Sequence, residues 1–510
     1  MRDTAAEAGQ EVPGALPSGR VNSLWAPRAW LPGGWAEQVL LTVGPDACWE
    51  HIETGVGTPP AGAEVLDGAL LPGLVDAHSH AFQRAFAGLA ERRATAADDF
   101  WSWRERMYGV ALRIGPAALR AVAAQLAVEL LHGGYTQLVE FHYLQHGVDG
   151  RPYEDPLTLA WAVADGAAEA GIGLTLMPAV YERAGFAEPA LRDDQRRFRM
   201  GADEAFAAAG AITASGRPLL RAGLVLHSLR AAAPDSVRRL RDLAAGFDGP
   251  IHIHVAEQTA EVDDCLAATG ARPIEWLARE PGLLDARWQL VHATHALPAE
   301  IDAVAARGAG VVLCPSTEAN LGDGLADLPG WLAAGVLLSI GSDSHVGRDA
   351  LEELRWLEYG QRLALRRRNV AAAPAAATGL PTSGGPSAAQ PATAARLFDG
   401  AVRAGGAAAG ERRWGLQPGA RADALVTDPA SPALLGMPGE RLLDALVFSS
   451  PARPWRDVMV AGRWVLRGHR HPQAATIAQR FATAMHELWG ATAAEEGVRR
   501  APLGGTGRRP

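Results

Sequence analysis

The sequence predicts a closed parallel (β/α)8 barrel of the TIM type, joined to a small β-sandwich domain formed from the N- and C-terminal segments. Three observations lead there. Eight short, almost continuously apolar runs recur between residues 73 and 343, helical stretches such as 234–245 and 261–277 separate most of them, and several of the runs end in His, Glu or Asp. Strands covered on both faces read as unbroken apolar runs, and their alternation with helices marks a parallel barrel.

Taken in order, residues 1–19 are polar and Gly/Pro-rich and are expected to be disordered. Between 20 and 71 the pattern is short strands and turns, at 21–25, 36–43 and 48–53. The first barrel strand is 73–80. A helical region around 98–106 and an apolar helix over 117–132 follow it. The remaining barrel strands are expected at 136–143, 173–180, 222–228, 250–257, 288–292, 310–315 and 336–343. Residues 371–395 are rich in Ala, Pro, Gly and Ser and read as a flexible insert. Strands return at 422–428, 457–460 and 463–466. The expected domains are therefore a small β unit from 20–71 and 415–470, a barrel over 72–402, a C-terminal helix over 471–492 and a disordered tail at 493–510.

Composition narrows the function. A net charge of −9 provides no electrostatic footprint for nucleic acid. No apolar run reaches the roughly 18 residues of a membrane span, and the polar start lacks the basic and apolar regions of a signal peptide. Cys48, Cys265 and Cys314 lie far apart with no C-x-x-C spacing, which suits a reducing compartment. The expectation is a cytoplasmic protein without membrane or nucleic-acid partners. The chain contains no lysine, so a P-loop lysine, a Schiff-base lysine and a lysine-derived metal bridge are all impossible.

The chemistry collects at the strand tips, where barrel active sites are built. His78 and His80 stand at i and i+2 on the first strand and share one face. Later tips present Tyr143, His227, His254, Glu257, His292 and Asp343. Taken singly, a strand-end histidine is more often only hydrogen-bonded, and Asp343 could cap a helix. Taken together, so many ionisable groups would each cost about a few kcal/mol to bury without a ligand. Three histidines and one aspartate suit Zn2+ or Fe2+ with room for water. His252 and His254 share a face and either could serve; His254 is preferred, being nearer the tip and three residues before Glu257. His142, His146, His295 and His345 read as supporting or surface groups.

The segments 72–80, 254–257 and 341–343, with His292 and the stretch 415–423, resemble the amidohydrolase superfamily of metal-dependent hydrolases. Many members bridge two metals with a carboxylated lysine on the fourth strand. This chain has His227 near that tip and no lysine, so it resembles the one-metal deaminase branch. That resemblance implies one divalent ion per chain, Zn2+ first and Fe2+ as the alternative, on His78, His80, His254 and Asp343. Segments 78–84, 100–105, 140–143, 227–230, 254–258 and 292–295 narrow it further. They imply hydrolytic deimination of N-formimidoyl-L-glutamate to N-formyl-L-glutamate and ammonia, a step of histidine degradation. Gln83, Arg104, Tyr143, His227 and Arg230 would line the pocket, and the enzyme would be a homodimer.

The residue types agree with a small dicarboxylate substrate, because guanidinium pairs bidentately with carboxylate. Asp343 would take a proton from the attacking water, His292 would steady the tetrahedral centre, and Glu257 would deliver a proton to the departing nitrogen. The alternative is a deaminase of a cyclic amidine of the guanine, cytosine or triazine type. Such a substrate wants a flat apolar or amide-lined slot, which two arginines do not provide. A metal-free binding barrel would be expected to have lost ligands.

Overall fold

The computed structural model describes residues 19–93, 98–372 and 392–499. Eight parallel strands form the barrel: Leu74–Ser79, Tyr135–His142, Gly173–Val180, Leu224–Ser228, Ile251–Val255, Trp288–His292, Gly310–Leu313 and Leu338–Ile340. They pair in chain order, and every residue in them is buried. This double-sided burial is what the unbroken apolar runs encode. The run expected at 222–228 is divided at Gly223, and its start forms a separate short strand, Leu220–Ala222, beside Gly173–Val180.

The barrel closes between its last and first strands. Ser79 bridges Asp343, the Asp343 amide donates to the His78 carbonyl at 2.9 Å, and the His80 amide donates to the Asp343 carbonyl at 3.2 Å. Gly341 sits inside this seam. A Cβ there would lie 2.7 Å from the His78 Cβ and 2.9 Å from its backbone nitrogen. Gly341→Ala is therefore expected to force the seam apart beside His78 and Asp343, at the roughly 1–3 kcal/mol typical of overpacking. Thermal unfolding and metal content both check this, and an unchanged melting point with full metal would refute it.

The second sheet runs Arg463–Leu466, Trp455–Val460, Ala424–Thr427, Leu70–Pro72, Ser23–Leu31, Gly34–Val43 and Trp49–Glu53, with Glu64–Val65 paired to Ser23–Leu31. N- and C-terminal halves join where Ala424–Thr427 lies antiparallel to Leu70–Pro72. A bridge from Cys48 to Arg421 curls the sheet over a shared core that includes Leu24, Leu41, Trp49, Val426 and Met459. The C-terminal segment is not all sheet. Leu442–Phe448 is helical and packs on helices Ala350–Leu365 and Thr393–Ala408 of the barrel.

The final helix spans Ala474–Arg499 and packs on Pro116–His132, extending past the end expected at 492. The helix from Thr393 begins inside the stretch expected as a flexible insert. Residues 1–18, 373–391 and 500–510, on which most of the expected disorder falls, lie outside the described residues. Among the described residues, no single helix is long and apolar enough to cross a membrane.

Candidate active site

The first, fifth and eighth strands bring His78, His80, His254 and Asp343 together at one end of the barrel, all buried. The His80 Nδ1–H donates to the Phe141 carbonyl at 2.9 Å, and the His254 Nδ1–H donates to the His227 carbonyl at 2.9 Å. These partners fix both tautomers and leave each Nε2 as a bare lone pair. The His254 Nε2 stands 3.0 Å from the His78 Nε2. Asp343 Oδ1 lies 3.4 Å from the His80 Nε2 and 3.6 Å from the His78 Nε2. Burial pulls His78 down to about 3 and lowers His80 and His254, so the three imidazoles are neutral near pH 7. The His78 Nδ1 is buried without a partner among the described residues; with its proton there, its Nε2 lone pair meets that of His254, and such crowded lone pairs repel one another unless a cation lies between them. The set therefore fits a divalent ion that accepts nitrogen and oxygen ligands. His252 is not part of it: its Nε2 pairs with the Ala408 carbonyl at 2.9 Å.

Beside this set stands an acid–base group. The His292 Nε2 lies 3.7 Å from Asp343 Oδ2 and 3.8 Å from Glu257 Oε1, and its Nδ1 lies 3.3 Å from Glu318 Oε1. Burial pulls His292 down, but the carboxylates of Glu257, Glu318 and Asp343 outweigh it and raise the imidazole to about 10. Burial pushes Glu257 up to about 7, against the pull of His292. Burial also opposes ionisation of Asp343, yet hydrogen bonding from His78 and the charge of His292 hold its carboxyl below the ordinary range. A Glu raised to about 7 beside an ionised Asp is the separation that acid–base catalysis needs.

The tips are bent to aim these groups. His292 (φ 68°), Asp343 (φ 50°) and Ala256 (φ 51°), which precedes Glu257, all adopt left-handed backbone without being glycine. Such strain costs about 1–3 kcal/mol per residue and persists only where the surroundings impose it.

The expected pocket residues line one cavity with this group. Gln83 Nε2 donates to the Tyr143 hydroxyl at 2.9 Å. His227 packs against Tyr143, Tyr181 and His254 at ring separations of 5.3, 4.5 and 5.0 Å, and burial and then Arg230 keep it neutral. Arg104 and Arg230 both lie against the Trp101 indole, at 4.5 and 5.4 Å. Among the described residues neither guanidinium has a carboxylate partner, and Arg104 Nε and Arg230 Nη1 are buried without an acceptor. A broader groove at the starts of the fourth and fifth strands, near Ala222 and Pro250, contains none of these histidines.

Sequence reasoning missed several members. Glu318 orients His292 and also accepts from the Cys314 amide at 2.9 Å. Asp76 accepts from the Ser342 amide at 2.8 Å, beneath the seam. Glu140 accepts from the Ser79 hydroxyl at 2.7 Å and from the Ala81 amide. His345, read as a supporting or surface group, is buried and pairs with Ser79 and Ser342. Glu140 and Asp76 lie inside motifs already singled out. Only Glu318, four residues past a strand-end cysteine, left no mark of its own.

Residues 69–465 match the model of the amidohydrolase family. The chain is 44% identical over 473 residues to a formimidoylglutamate deiminase of Pseudomonas aeruginosa, covering 92% of this chain and all of that protein. A 5-methylthioadenosine/S-adenosylhomocysteine deaminase of Natronomonas pharaonis is 31% identical over 335 residues, covering 64% of this chain and 71% of its own. Among solved structures, an amidohydrolase from Brucella melitensis superposes with a TM-score of 0.84 at 41% identity, covering 92% of this chain and 99% of that one. With the barrel, the sheet and the strand-tip cluster all in place, the chain belongs to the amidohydrolase family.

Proposed function

We propose that the protein hydrolyses N-formimidoyl-L-glutamate to N-formyl-L-glutamate and ammonia. One observation carries this above others: two guanidiniums, Arg230 buried and Arg104 half-buried, face the same cavity as the His/Asp cluster and Glu257, and among the described residues neither forms an ion pair with a carboxylate. Such a cavity calls for an anionic substrate with its reacting carbon near Asp343. The relative in Pseudomonas aeruginosa, named for this activity, supports the same reading.

His78, His80, His254 and Asp343 would hold one divalent ion, Zn2+ first and Fe2+ within the same ligand chemistry. When bound, it supplies a Lewis acid that makes water nucleophilic near neutral pH. Asp343 receives the proton of the attacking water. His292, held as imidazolium by its three carboxylate neighbours, steadies charge as the formimidoyl carbon becomes tetrahedral. Glu257 carries a proton to the terminal nitrogen, which leaves as ammonia because an amide anion is too basic to depart. We further propose a cytoplasmic homodimer serving histidine breakdown. The homodimer rests on family resemblance, and the compartment on three cysteines that are all free.

Ammonia release from N-formimidoyl-L-glutamate, assayed beside guanine and cytosine, tests the substrate; faster release from either base would restore the cyclic-amidine reading. Elemental analysis should find one divalent ion per chain, and chelation should abolish turnover until Zn2+ is returned. Two ions at full occupancy would contradict the lysine-free ligand set.

A further inference from the structure

Next to Arg104 and Arg230, the cavity is walled by Tyr108 and Tyr181, both buried. Behind the two phenols lies Gln195, which is fully buried. The orientation of its amide is settled by the backbone. Its Oε1 accepts from the Arg192 N–H at 3.1 Å, which an NH2 group could not do, so the NH2 faces the tyrosines. It donates to the Tyr181 hydroxyl at 3.1 Å and to the Tyr108 hydroxyl at 3.3 Å.

A phenol oxygen that accepts a hydrogen still has its own O–H to give. Burial, then the neighbouring Tyr108, holds Tyr181 well above its ordinary pKa, so its proton stays in place. The two hydroxyls are close enough to share one hydrogen. The other has no acceptor among the described residues. With two unpaired guanidiniums alongside, this end of the cavity offers donors and almost no acceptors. A carboxylate, with two oxygens and about four lone pairs, is the complement of such a surface.

We infer that Gln195 is a specificity-determining positioning residue: by donating to both phenols it leaves the Tyr108–Tyr181 pair one free O–H to donate to the carboxylate that Arg104 and Arg230 receive. This deepens the proposed function and rests on it. The loop holding Gln195 is fixed to the helix that supplies Arg104 and Tyr108. Arg197, two residues on and fully buried, donates from Nε to the His146 carbonyl at 2.8 Å and from Nη1 to the Ile114 carbonyl at 2.9 Å, just beyond Phe100–Ala111. Phe198 packs against the rings of Tyr108, Tyr143 and Tyr181 at 5.4, 5.2 and 5.4 Å.

Gln195→Glu keeps the shape and reverses the polarity, because a carboxylate accepts from both phenols and draws their hydrogens away from the ligand. Gln195→Met keeps the length and removes the donor. The metal-loaded enzyme is assayed on N-formimidoyl-L-glutamate and on the formimidoyl derivatives of 4-aminobutyrate and 2-aminobutyrate, each lacking one carboxylate. For one of these two, the ratio of kcat/KM on the diacid to kcat/KM on the analogue should fall about tenfold in Gln195→Met and further in Gln195→Glu. It should be the same analogue whose ratio collapses in Arg230→Met, with KM on the diacid rising more than kcat falls. A ratio unchanged in both variants, or an equal loss on all three compounds, overturns the assignment. If the unmodified enzyme ignores the diacid, the proposed function fails and this inference falls with it. Should the Gln195 variants not fold, Tyr108→Phe and Tyr181→Phe, each missing one oxygen, carry the same expectation.

Discussion

Glu257→Gln is expected to lower kcat at least ~100-fold while metal content stays at the unmodified level. The substitution preserves volume and removes only the group that can hold and release a proton. Burial has raised that group to about 7, where it exchanges protons readily near neutral pH. Its Oε1 faces the His292 Nε2 at 3.8 Å, so the amide of the variant still fills the space beside the imidazole. Glu257 itself is no part of the His78, His80, His254 and Asp343 set, which is why metal should remain. Steady-state turnover with elemental analysis on the same sample reads both quantities. Turnover within a few-fold of the unmodified enzyme would assign proton delivery to another group, and the buried Asp323, raised to about 9 by burial and then by Glu257, would be the first to examine.

Replacing Arg104 or Arg230 by Met should lower kcat/KM on the diacid by one to two orders of magnitude, with metal again retained. Hydrogen bonds to charged groups contribute about 1.5–3 kcal/mol each, which sets that range. Among the described residues neither guanidinium forms a direct ion pair, but the buried carboxylates of Glu261 and Glu257 lie in the field of Arg230, so Arg104→Met is the cleaner of the two variants. The indole of Trp101 that both lie against can accept a methionine side chain. For Arg104 the loss therefore reports on substrate, not on folding. An analogue already lacking the relevant carboxylate should lose little further on the variant. Normal kcat/KM in both variants would mean that the arginines hold no carboxylate.

Much of this site was visible in the sequence because strand tips carry their chemistry locally. His78 and His80 share a strand, and Glu257 follows His254 by three residues. Period-two reasoning alone could not separate His252 from His254, since both face the same way. Depth along the strand separates them: His252 reaches the Ala408 carbonyl, whereas His254 reaches His78. The strand expected at 336–343 ends at Ile340, and Asp343 bridges Ser79 beyond it in left-handed backbone, a conformation no residue pattern announces. Gln195 was invisible for a different reason. Its partners Tyr108 and Tyr181 belong to a helix and a strand end far from it in the chain, and only the folded loop brings the three together. Contacts of that range leave no periodicity to read.

The most direct test of the central claim is which C–N bond breaks. In the proposed reaction Glu257 protonates the terminal nitrogen, so the metal-loaded enzyme supplied with N-formimidoyl-L-glutamate should yield N-formyl-L-glutamate and ammonia in equal amounts, quantified together in one reaction. Formamide and free glutamate as products would show the proton going to the other nitrogen, and would contradict the roles of Glu257, His292 and Asp343 in the proposed reaction.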